Sequence, residues 1–313
     1  MKILFTGGSS FTGYWFIREL AAAGHKIVAV LRKQPDEYEG VRKQRVAALT
    51  GICERVAECA FGDERFLELI AREDQWDLLC HHAADVTDYK SENFDVIGAL
   101  ANNTRNLSAV LNLLREKGCA RIALTGSVFE QNEGAGNGDL SAFSPYGLSK
   151  GLTYEIFRYQ AMRHDIHLGK FVIPNPFGPY EEPRFTTYLL RCWYKHEVAK
   201  VSTPVYVRDN IHVSLLAKAY VQFVEGLPRT PTGFSCLNPS GYAESQGAFA
   251  LRFATEIRDR LDLECEVELL TQTSFAEPGV RINTDIPDVN TLGWDEQRAW
   301  DELAEYYRMT IRK

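Results

Sequence analysis

The stretch Phe5–Gly13, FTGGSSFTG, follows the apolar run of a predicted strand and precedes a segment with helical periodicity that ends at Gly24. A glycine-rich turn between a strand and a helix directs unpaired N–H groups and the positive end of the helix dipole toward a bound anion. Gly7 suits the tight turn, and Gly13 suits the close approach of helix and strand. The stretch therefore predicts a turn that binds the pyrophosphate of a dinucleotide, although Ser10 stands where such turns usually carry a glycine. The alternative interpretation is an ordinary surface loop.

Short apolar runs alternate with helical patterns from the N-terminus to about Asn175. Near-continuous apolar strands that are joined by helices indicate a parallel sheet covered on both faces. We therefore predict an α/β fold in which a doubly wound parallel (Rossmann) sheet occupies residues 1–174. A smaller C-terminal α/β substrate domain is predicted over residues 175–313, and residues 205–228 are expected to return to the first domain.

The composition of the 313-residue chain is that of a globular protein, with 45% hydrophobic and 25% charged residues. The formal net charge of -7 disfavours nucleic acid as a partner, because neutralising phosphates requires a basic face. No segment approaches the ~20 apolar residues of a membrane span, so we expect a cytoplasmic protein without a membrane partner. The seven cysteines are scattered without C-x-x-C spacing, so neither a disulfide framework nor a metal site is predicted.

The end of the second predicted strand, KIVAVLRK, bears on the type of dinucleotide. In NAD-specific sheets a carboxylate at this position binds the ribose 2′-hydroxyl. Here the strand ends in Leu31, Arg32 and Lys33, which offer two cations and no acid. The cofactor is therefore expected to be NADP or NAD, with NADP favoured. The alternative is that the two cations are only solvated side chains at the strand end.

Tyr146 and Lys150 are four residues apart in SPYGLSK at the start of a predicted helix, so their side chains project from one face. A phenol has a pKa of about 10 and is a poor base, but a nearby ammonium favours the phenolate. The fifth predicted strand, ARIALTGS, delivers Thr125 and Ser127 at its carboxyl end, where open α/β sheets bind ligands. This set predicts proton exchange with a hydroxyl while hydride moves to or from a nicotinamide.

These residues together resemble the extended short-chain dehydrogenase/reductase superfamily, and in particular its nucleotide-sugar epimerases and dehydratases. TGGSSFTG resembles the T-G-x-x-G-x-x-G turn of that superfamily, and LTGSVFE with YGLSK resembles its catalytic Ser/Thr, Tyr and Lys. NPFGP resembles the N-P-x-G turn, and VRDNIHV resembles the R-D-x-I-H-V segment. The likeness extends over essentially the whole chain.

The resemblance implies a site for each group of the reaction. Thr125, Tyr146 and Lys150 are the implied catalytic residues, and Ser127 is a candidate substrate contact. Asn175 is expected to touch the sugar or phosphate, and Arg208 to grip a diphosphate. The expected cofactor-binding residues are Gly7, Ser9, Ser10, Phe11, Thr12, Gly13, Arg32, Lys33, Asp63, Ala83, Ala84, Asn102, Tyr146 and Lys150.

The implied function is that of an NAD(P)-dependent enzyme that moves hydride at a ring carbon, C4, of a nucleoside-diphosphate sugar. Epimerase and 4-keto-reductase activity both remain open. Dehydratases of the family follow the threonine with an acid pair, whereas Gly126 and Ser127 stand here, so a 4,6-dehydratase is disfavoured. Val172 replaces an arginine that many members carry on that strand.

Two other classes of function remain alternatives. One is an NADP-dependent reductase of a non-sugar alcohol or ketone, and the other is a non-catalytic protein that senses the cofactor. Arg281 is expected either to reach the nucleotide or to cap a terminal strand. The family also implies a homodimer that forms through paired helices.

Overall fold

The computed structural model describes residues 1–230, 233–274 and 277–311. The chain divides into two compact units, each described by itself below. Unit 1 comprises residues 1–133, 140–173 and 217–238. Unit 2 comprises residues 134–139, 174–216 and 239–313.

The strands of the described residues are short and mostly parallel. They are β1 (Lys2–Thr6), β2 (Lys26–Val30), β3 (Glu54–Val56), β4 (Leu78–His81), β5 (Arg121–Ser127), β6 (Ala135–Gly136), β7 (His167–Ile173), β8 (Asn175–Phe177), β9 (Ala199–Val201), β10 (Val207–His212), β11 (Gly233–Leu237), β12 (Tyr242–Ser245), β13 (Val267–Leu269) and β14 (Val280–Ile282).

The helices alternate with these strands along most of the chain. They are α1 (Phe11–Ala22), α2 (Gly40–Ala48), α3 (Glu64–Arg72), α4 (Val96–Asn103), α5 (Leu107–Glu116), α6 (Pro145–Arg163), α7 (Phe185–Tyr194), α8 (Val213–Gly226), α9 (Gln246–Leu261) and α10 (Glu296–Ile311), with a 3₁₀ turn at Pro35–Glu37.

Unit 1 contains a seven-stranded sheet in the order β11-β7-β5-β4-β1-β2-β3, in which every pairing is parallel. The predicted doubly wound parallel sheet is therefore confirmed. The strand order reverses between β1 and β4, and ligands of such sheets bind outside the carboxyl ends of the strands at that point. The tips of β1 and β4 are the turn at Gly7 and the pair His81 and His82.

Burial explains why the central strands form where they do. All four residues of β4 are buried, as are the first six of β5, which is the pattern of strands covered on both faces. Trp76, Phe66 and Phe157 are fully buried in the core cluster of this sheet and its helices. The seventh strand, β11, alternates between half-buried and exposed residues, so its weak apolar pattern escaped prediction.

Unit 2 contains a smaller sheet in the order β12-β10-β14-β6, with β8 paired to β10, and a separate parallel pair of β9 and β13. Its core gathers aromatic rings, among them Phe177, Trp193, Phe253 and Trp300, all at most 2% exposed. Because β10 pairs with strands of this sheet, residues 207–212 lie in unit 2, and unit 1 resumes at Ala217. The sequence had predicted a return to the first domain over 205–228.

Candidate active site

Ser10 begins helix α1 as its N-cap, with extended backbone angles (φ -76°, ψ 166°). Its hydroxyl accepts a hydrogen bond from the Gly13 N–H at 3.1 Å and donates one to the Gly7 carbonyl at 2.8 Å. A serine therefore suits this position because it satisfies two backbone groups that a glycine would leave to other partners.

Both glycines of the turn are required by geometry. Gly7 has φ +82°, and a Cβ there would lie 2.7 Å from the Ala83 nitrogen. A Cβ on Gly13 would collide with the Gly7 carbonyl oxygen. The turn is thus a tight cradle at the positive end of α1, and this backbone fits the pyrophosphate of a dinucleotide. Phe11 and Thr12 are buried in the first turn of the helix, and Ser9 is half-buried before it.

His82 lies immediately after β4, and its hydrogen bonds connect the glycine-rich turn to strand β5. Its Nε2 lies 2.9 Å from Ser10 Oγ and 3.1 Å from Thr12 Oγ1, and its Nδ1 lies 2.9 Å from Thr125 Oγ1. Burial of the ring, together with the smaller effect of the nearby Lys150 ammonium, lowers the pKa of His82 to about 3, so the ring is neutral. The sequence motifs give His82 no role, and its position directly after β4, where the strand order reverses, is the feature that points to it.

Thr125 and Lys150 meet at the carboxyl end of β5. The Lys150 ammonium donates to the Thr125 backbone carbonyl, and both residues are buried. Burial lowers the pKa of Lys150, while the carboxylate of Glu130 opposes this shift. Helix α6 starts one residue before Tyr146 with Ser144 as its N-cap, so Tyr146 precedes Lys150 by about one turn.

The ring of Tyr146 is half-buried and packs edge-on against two aromatic residues from the segment after β4. The centroid of the Tyr146 ring lies 5.5 Å from that of Tyr89 and 5.9 Å from that of Phe94. Edge-to-face contacts of this kind are favourable and hold a ring in one orientation. The segment between β4 and α4 therefore helps to position the candidate base.

A buried charged cluster lies behind the end of β5. Lys170 Nζ lies 2.6 Å from Glu130 Oε2 and 2.5 Å from Glu133 Oε1. Burial lowers the pKa of Lys170, but the two carboxylates outweigh it and raise the pKa above its usual value. Glu130 also accepts the backbone N–H of Ser127 at 2.7 Å. The cluster, which the sequence did not reveal, thus fixes the backbone next to Thr125.

Apart from Tyr146 and Lys150, the expected cofactor residues outside the turn lie at four places in unit 1. Arg32 and Lys33 are exposed after β2. Asp63 is the N-cap of α3, and its carboxylate accepts the N–H groups of Phe66 at 2.7 Å and Ala60 at 2.8 Å. Ala83 donates its N–H to Thr6 Oγ1 at 3.0 Å. Ala84 is half-buried beside it.

The fourth place is helix α4. Asn102 is exposed, and its amide donates to the Asp85 carboxylate at 2.9 Å. The neighbouring Asn103 is buried, accepts the Asp85 N–H at 2.8 Å and donates to Thr153 on α6 at 3.2 Å. Asn103 therefore connects the segment after β4 to the helix that carries Tyr146 and Lys150.

The candidate substrate residues Asn175 and Arg208 lie in unit 2. Asn175 begins β8, and its amide donates to Asn210 Oδ1 at 2.5 Å. Arg208 on β10 is buried, donates to Glu277 Oε2 at 2.9 Å, and stacks over the Tyr206 ring at 3.4 Å. Arg281 is its register partner on β14 and is 1% exposed, so two guanidinium groups stand on adjacent strands.

A comparison with protein families decides the chain's membership. The profile of the NAD dependent epimerase/dehydratase family matches residues 3–232. The chain belongs to this family. The resemblance predicted from the motifs is thereby confirmed, as is the prediction of an NAD(P)-dependent enzyme. No curated protein sequence is significantly similar to this member.

Solved structures of the family share its fold at low sequence identity. The UDP-glucuronic acid 4-epimerase of Bacillus cereus is 14% identical with a TM-score of 0.73, and 99% of each chain is covered. The UDP-glucose 4-epimerase of Thermotoga maritima is 17% identical with a TM-score of 0.70, over 99% of this chain and 100% of the other. The dTDP-glucose 4,6-dehydratase of Streptomyces venezuelae is 16% identical with a TM-score of 0.68, over 100% and 98%.

Among the described residues, no helix of this family member has both the length and the apolar character needed to cross a membrane.

Proposed function

We propose that this chain moves hydride at C4 of a nucleoside-diphosphate sugar, as an epimerase or a 4-keto-reductase. The observation that carries the proposal is the meeting of Thr125 and Lys150 at the carboxyl end of β5, with Tyr146 one turn before Lys150. Structures of the B. cereus and T. maritima relatives contain UDP-glucuronic acid and UDP-glucose. These ligands support a nucleotide sugar as the substrate here.

The residues of this chain divide the work of the reaction. A bound nicotinamide supplies the hydride acceptor or donor. Tyr146, as phenolate, removes the proton of the sugar hydroxyl, and as phenol it returns a proton when the ketone is reduced. Thr125 hydrogen-bonds the reacting oxygen, and the ammonium of Lys150 favours the phenolate. The turn at Ser10 and the glycines beside it would hold the pyrophosphate.

Gly126 disfavours the dehydratase reaction in structural terms. A Cβ at this position would lie 2.7 Å from Lys170 Cε and 3.1 Å from Glu130 Oε1. The position after Thr125 therefore has no room for the acid that family dehydratases use there, because the buried charged cluster occupies the space.

A non-sugar alcohol or ketone remains the second candidate substrate. An apolar substrate would be disfavoured if it left the Arg208 guanidinium in the site as an unpaired cation. Arg208 is instead paired with Glu277. The pairing removes this objection, so the substrate has to be decided by experiment.

For the cofactor, the charges at the tip of β2 support NADP. Arg32 and Lys33 are exposed there, and Leu31 is buried where a carboxylate would receive the ribose. The B. cereus and S. venezuelae structures contain NAD, so these relatives give no support to the preference for NADP.

The charge argument predicts that Leu31→Asp combined with Arg32→Asn shifts the preference toward NAD by at least about tenfold, which is about 1.4 kcal/mol. Titration of each dinucleotide by fluorescence gives the two affinities, and Lys43→Asn, which removes an exposed cation from helix α2, is the matched control. An unchanged affinity ratio would show that this strand end does not read the 2′-phosphate.

We also propose that the chain forms a homodimer. Exposed apolar side chains on α4 and α6 support this: Ile97 is 73% exposed, and Tyr159 and Met162 are each 54% exposed. Analytical ultracentrifugation tests the state directly, and Met162→Glu should shift a dimer toward monomer.

The proposed function is tested by two measurements on the purified full chain. Denaturation followed by mass spectrometry identifies any nicotinamide or nucleotide sugar that copurifies. Incubation with UDP-glucose, UDP-glucuronic acid and a 4-keto sugar nucleotide, each with NAD or NADPH, then reports turnover. Retained NAD with epimer formation supports an epimerase, and stoichiometric NADPH consumption supports a reductase. Reduction of a non-sugar ketone without any sugar turnover would contradict the proposal.

A further inference from the structure

His82 is half-buried, and its imidazole has polar partners at both ring nitrogens. The Ser10 and Thr12 hydroxyls lie at Nε2, and the Thr125 hydroxyl lies at Nδ1. The ring therefore connects the carboxyl ends of three adjacent strands. The turn follows β1, His82 follows β4, and Thr125 lies near the carboxyl end of β5. None of the sequence motifs assigned a role to this residue.

The direction of each hydrogen bond follows from counting donors. The single proton of the Ser10 hydroxyl goes to the Gly7 carbonyl, and the same oxygen accepts the Gly13 N–H. The Ser10 oxygen can then only accept from His82, which assigns the ring proton to Nε2, with Thr12 Oγ1 as a second acceptor there. A neutral imidazole carries one N–H, which makes Nδ1 an acceptor. Thr125 must consequently donate its hydroxyl proton to Nδ1.

We propose that His82 is a positioning residue, which fixes the Thr125 hydroxyl with its proton toward Nδ1 and leaves the Thr125 oxygen as an acceptor for the reacting hydroxyl. This inference rests on the proposed function, because it assigns the polarity of a group in that reaction. Thr125 then accepts a hydrogen bond from the sugar hydroxyl before proton transfer or from the Tyr146 phenol after it, and Tyr146 alone donates to a ketone. The hydrogen bonds of His82 also hold the turn after β1 in a fixed position relative to strand β5.

A double-mutant cycle separates positioning from a merely structural role. His82→Leu removes both hydrogen bonds, and His82→Asn keeps an acceptor near the place of Nδ1. We expect His82→Leu to lower kcat on the order of 10- to 100-fold with KM changed less than about threefold, and His82→Asn to recover much of the loss. In a Thr125→Val background, His82→Leu should add less than about twofold.

His81→Leu is the matched control for loss of a buried histidine. Its ring contacts Thr6 Oγ1 at 3.0 Å and packs on Phe61 and Phe157, and no hydrogen bond joins it to Thr125 in the described structure. Equal losses of kcat in His82→Leu and His81→Leu, or fully multiplicative effects with Thr125→Val, would overturn the positioning role.

A second arm does not depend on turnover. In protein labelled with ¹⁵N-histidine, the His82 resonances are identified as those missing from the spectrum of His82→Asn. These resonances should show the Nε2–H tautomer at pH 7. The Thr125→Val substitution should shift the Nδ1 resonance of His82. An Nδ1–H tautomer or an imidazolium at pH 7 would overturn the inference. Absence of turnover with every nucleotide sugar would instead refute the proposed function, while this spectrum would still report the hydrogen bonds of His82.

Discussion

Ser10 shows how one side chain can stand in for a glycine in a dinucleotide turn. Glycine is usual at this position because a side chain reduces the space for phosphate. The hydroxyl of Ser10 is turned instead toward the Gly7 carbonyl, the Gly13 N–H and His82. The side chain thus acts as a helix cap and as a link in the His82 bridge.

Two substitutions distinguish the capping role of the Ser10 hydroxyl from direct binding of phosphate by that hydroxyl. We expect Ser10→Ala to lower the free energy of unfolding by about 1 kcal/mol, and Ser10→Gly by only a few tenths. Urea denaturation measures both. Because Ser10→Gly restores the usual turn, its affinity for dinucleotide should equal or exceed that of the parent. A tenfold weaker affinity in Ser10→Gly would show that the hydroxyl itself binds phosphate.

Glu181 in unit 2 is a residue whose protonation state affects the stability of the fold. It is buried, and it accepts hydrogen bonds from Thr186 and from the Tyr307 hydroxyl, the latter at 2.7 Å. Burial raises its pKa from 4.5 to about 7, although both hydrogen bonds oppose the shift. The folded state therefore keeps the proton over a pH range in which the unfolded chain loses it.

A raised folded-state pKa means that this group's contribution to stability is complete below about pH 4.5 and is lost progressively as the pH rises to about 7. The loss is on the order of 3 kcal/mol. Chemical denaturation of wild type and Glu181→Gln between pH 5 and 8 tests this. The stability of wild type relative to the variant should fall with rising pH; a constant difference would show that Glu181 does not titrate there.

At the scale of elements, strand β5 combines two environments. Thr125 lies among polar groups of the candidate site, whereas Gly126 abuts the cluster of Glu130, Lys170 and Glu133. The charges in this cluster are buried and mutually compensated, so removing one partner is costly. The strand end is therefore held by contacts that the sequence motif around Thr125 does not display.

Gly126→Ala should destabilise the protein by about 1–3 kcal/mol, because Lys170 is pinned by two carboxylates and cannot give way easily. Gly138→Ala is the control, since a Cβ at Gly138 meets nothing within 4 Å. Thermal unfolding of both variants measures the difference. Equal midpoints for the two would show that the cluster relaxes around an added methyl group.

The sequence predicted the elements that carry strong periodic patterns and missed those held by pairing alone. The strands β1 to β5 and β7 coincide with apolar runs that the sequence displays. Short strands such as β6 and β8 have too few residues for a pattern and exist because they pair with β14 and β10. Their formation depends on tertiary contacts, which spacing does not encode.

The same limit applies to the candidate site. Motif spacing placed Thr125 and Lys150 on strongly predicted elements, and the two residues meet near the end of β5. It did not reveal the His82 bridge, the Lys170 cluster or the role of Asn103, because these depend on side chains from distant strands and helices meeting in space. Such contacts leave no local signature in a single sequence.

At the scale of the whole molecule, the family profile and the two units divide the chain differently. The profile ends at residue 232, so the part of unit 2 from Pro239 onward, including Arg281, lies beyond it. The candidate catalytic residues lie in unit 1, and the candidate substrate residues Asn175 and Arg208 lie in unit 2. We expect the choice of sugar to reside mainly in unit 2, whose sequence is least constrained by the shared cofactor chemistry.

The proposed reaction requires that Tyr146 move the proton of the reacting hydroxyl. The most direct test is the turnover of Tyr146→Phe with the nucleotide sugar found for wild type, together with its dinucleotide affinity. We predict an affinity within about threefold of wild type and a kcat lowered about 10²- to 10⁴-fold, the usual contribution of an acid–base group. A variant that retains near wild-type turnover would contradict the account.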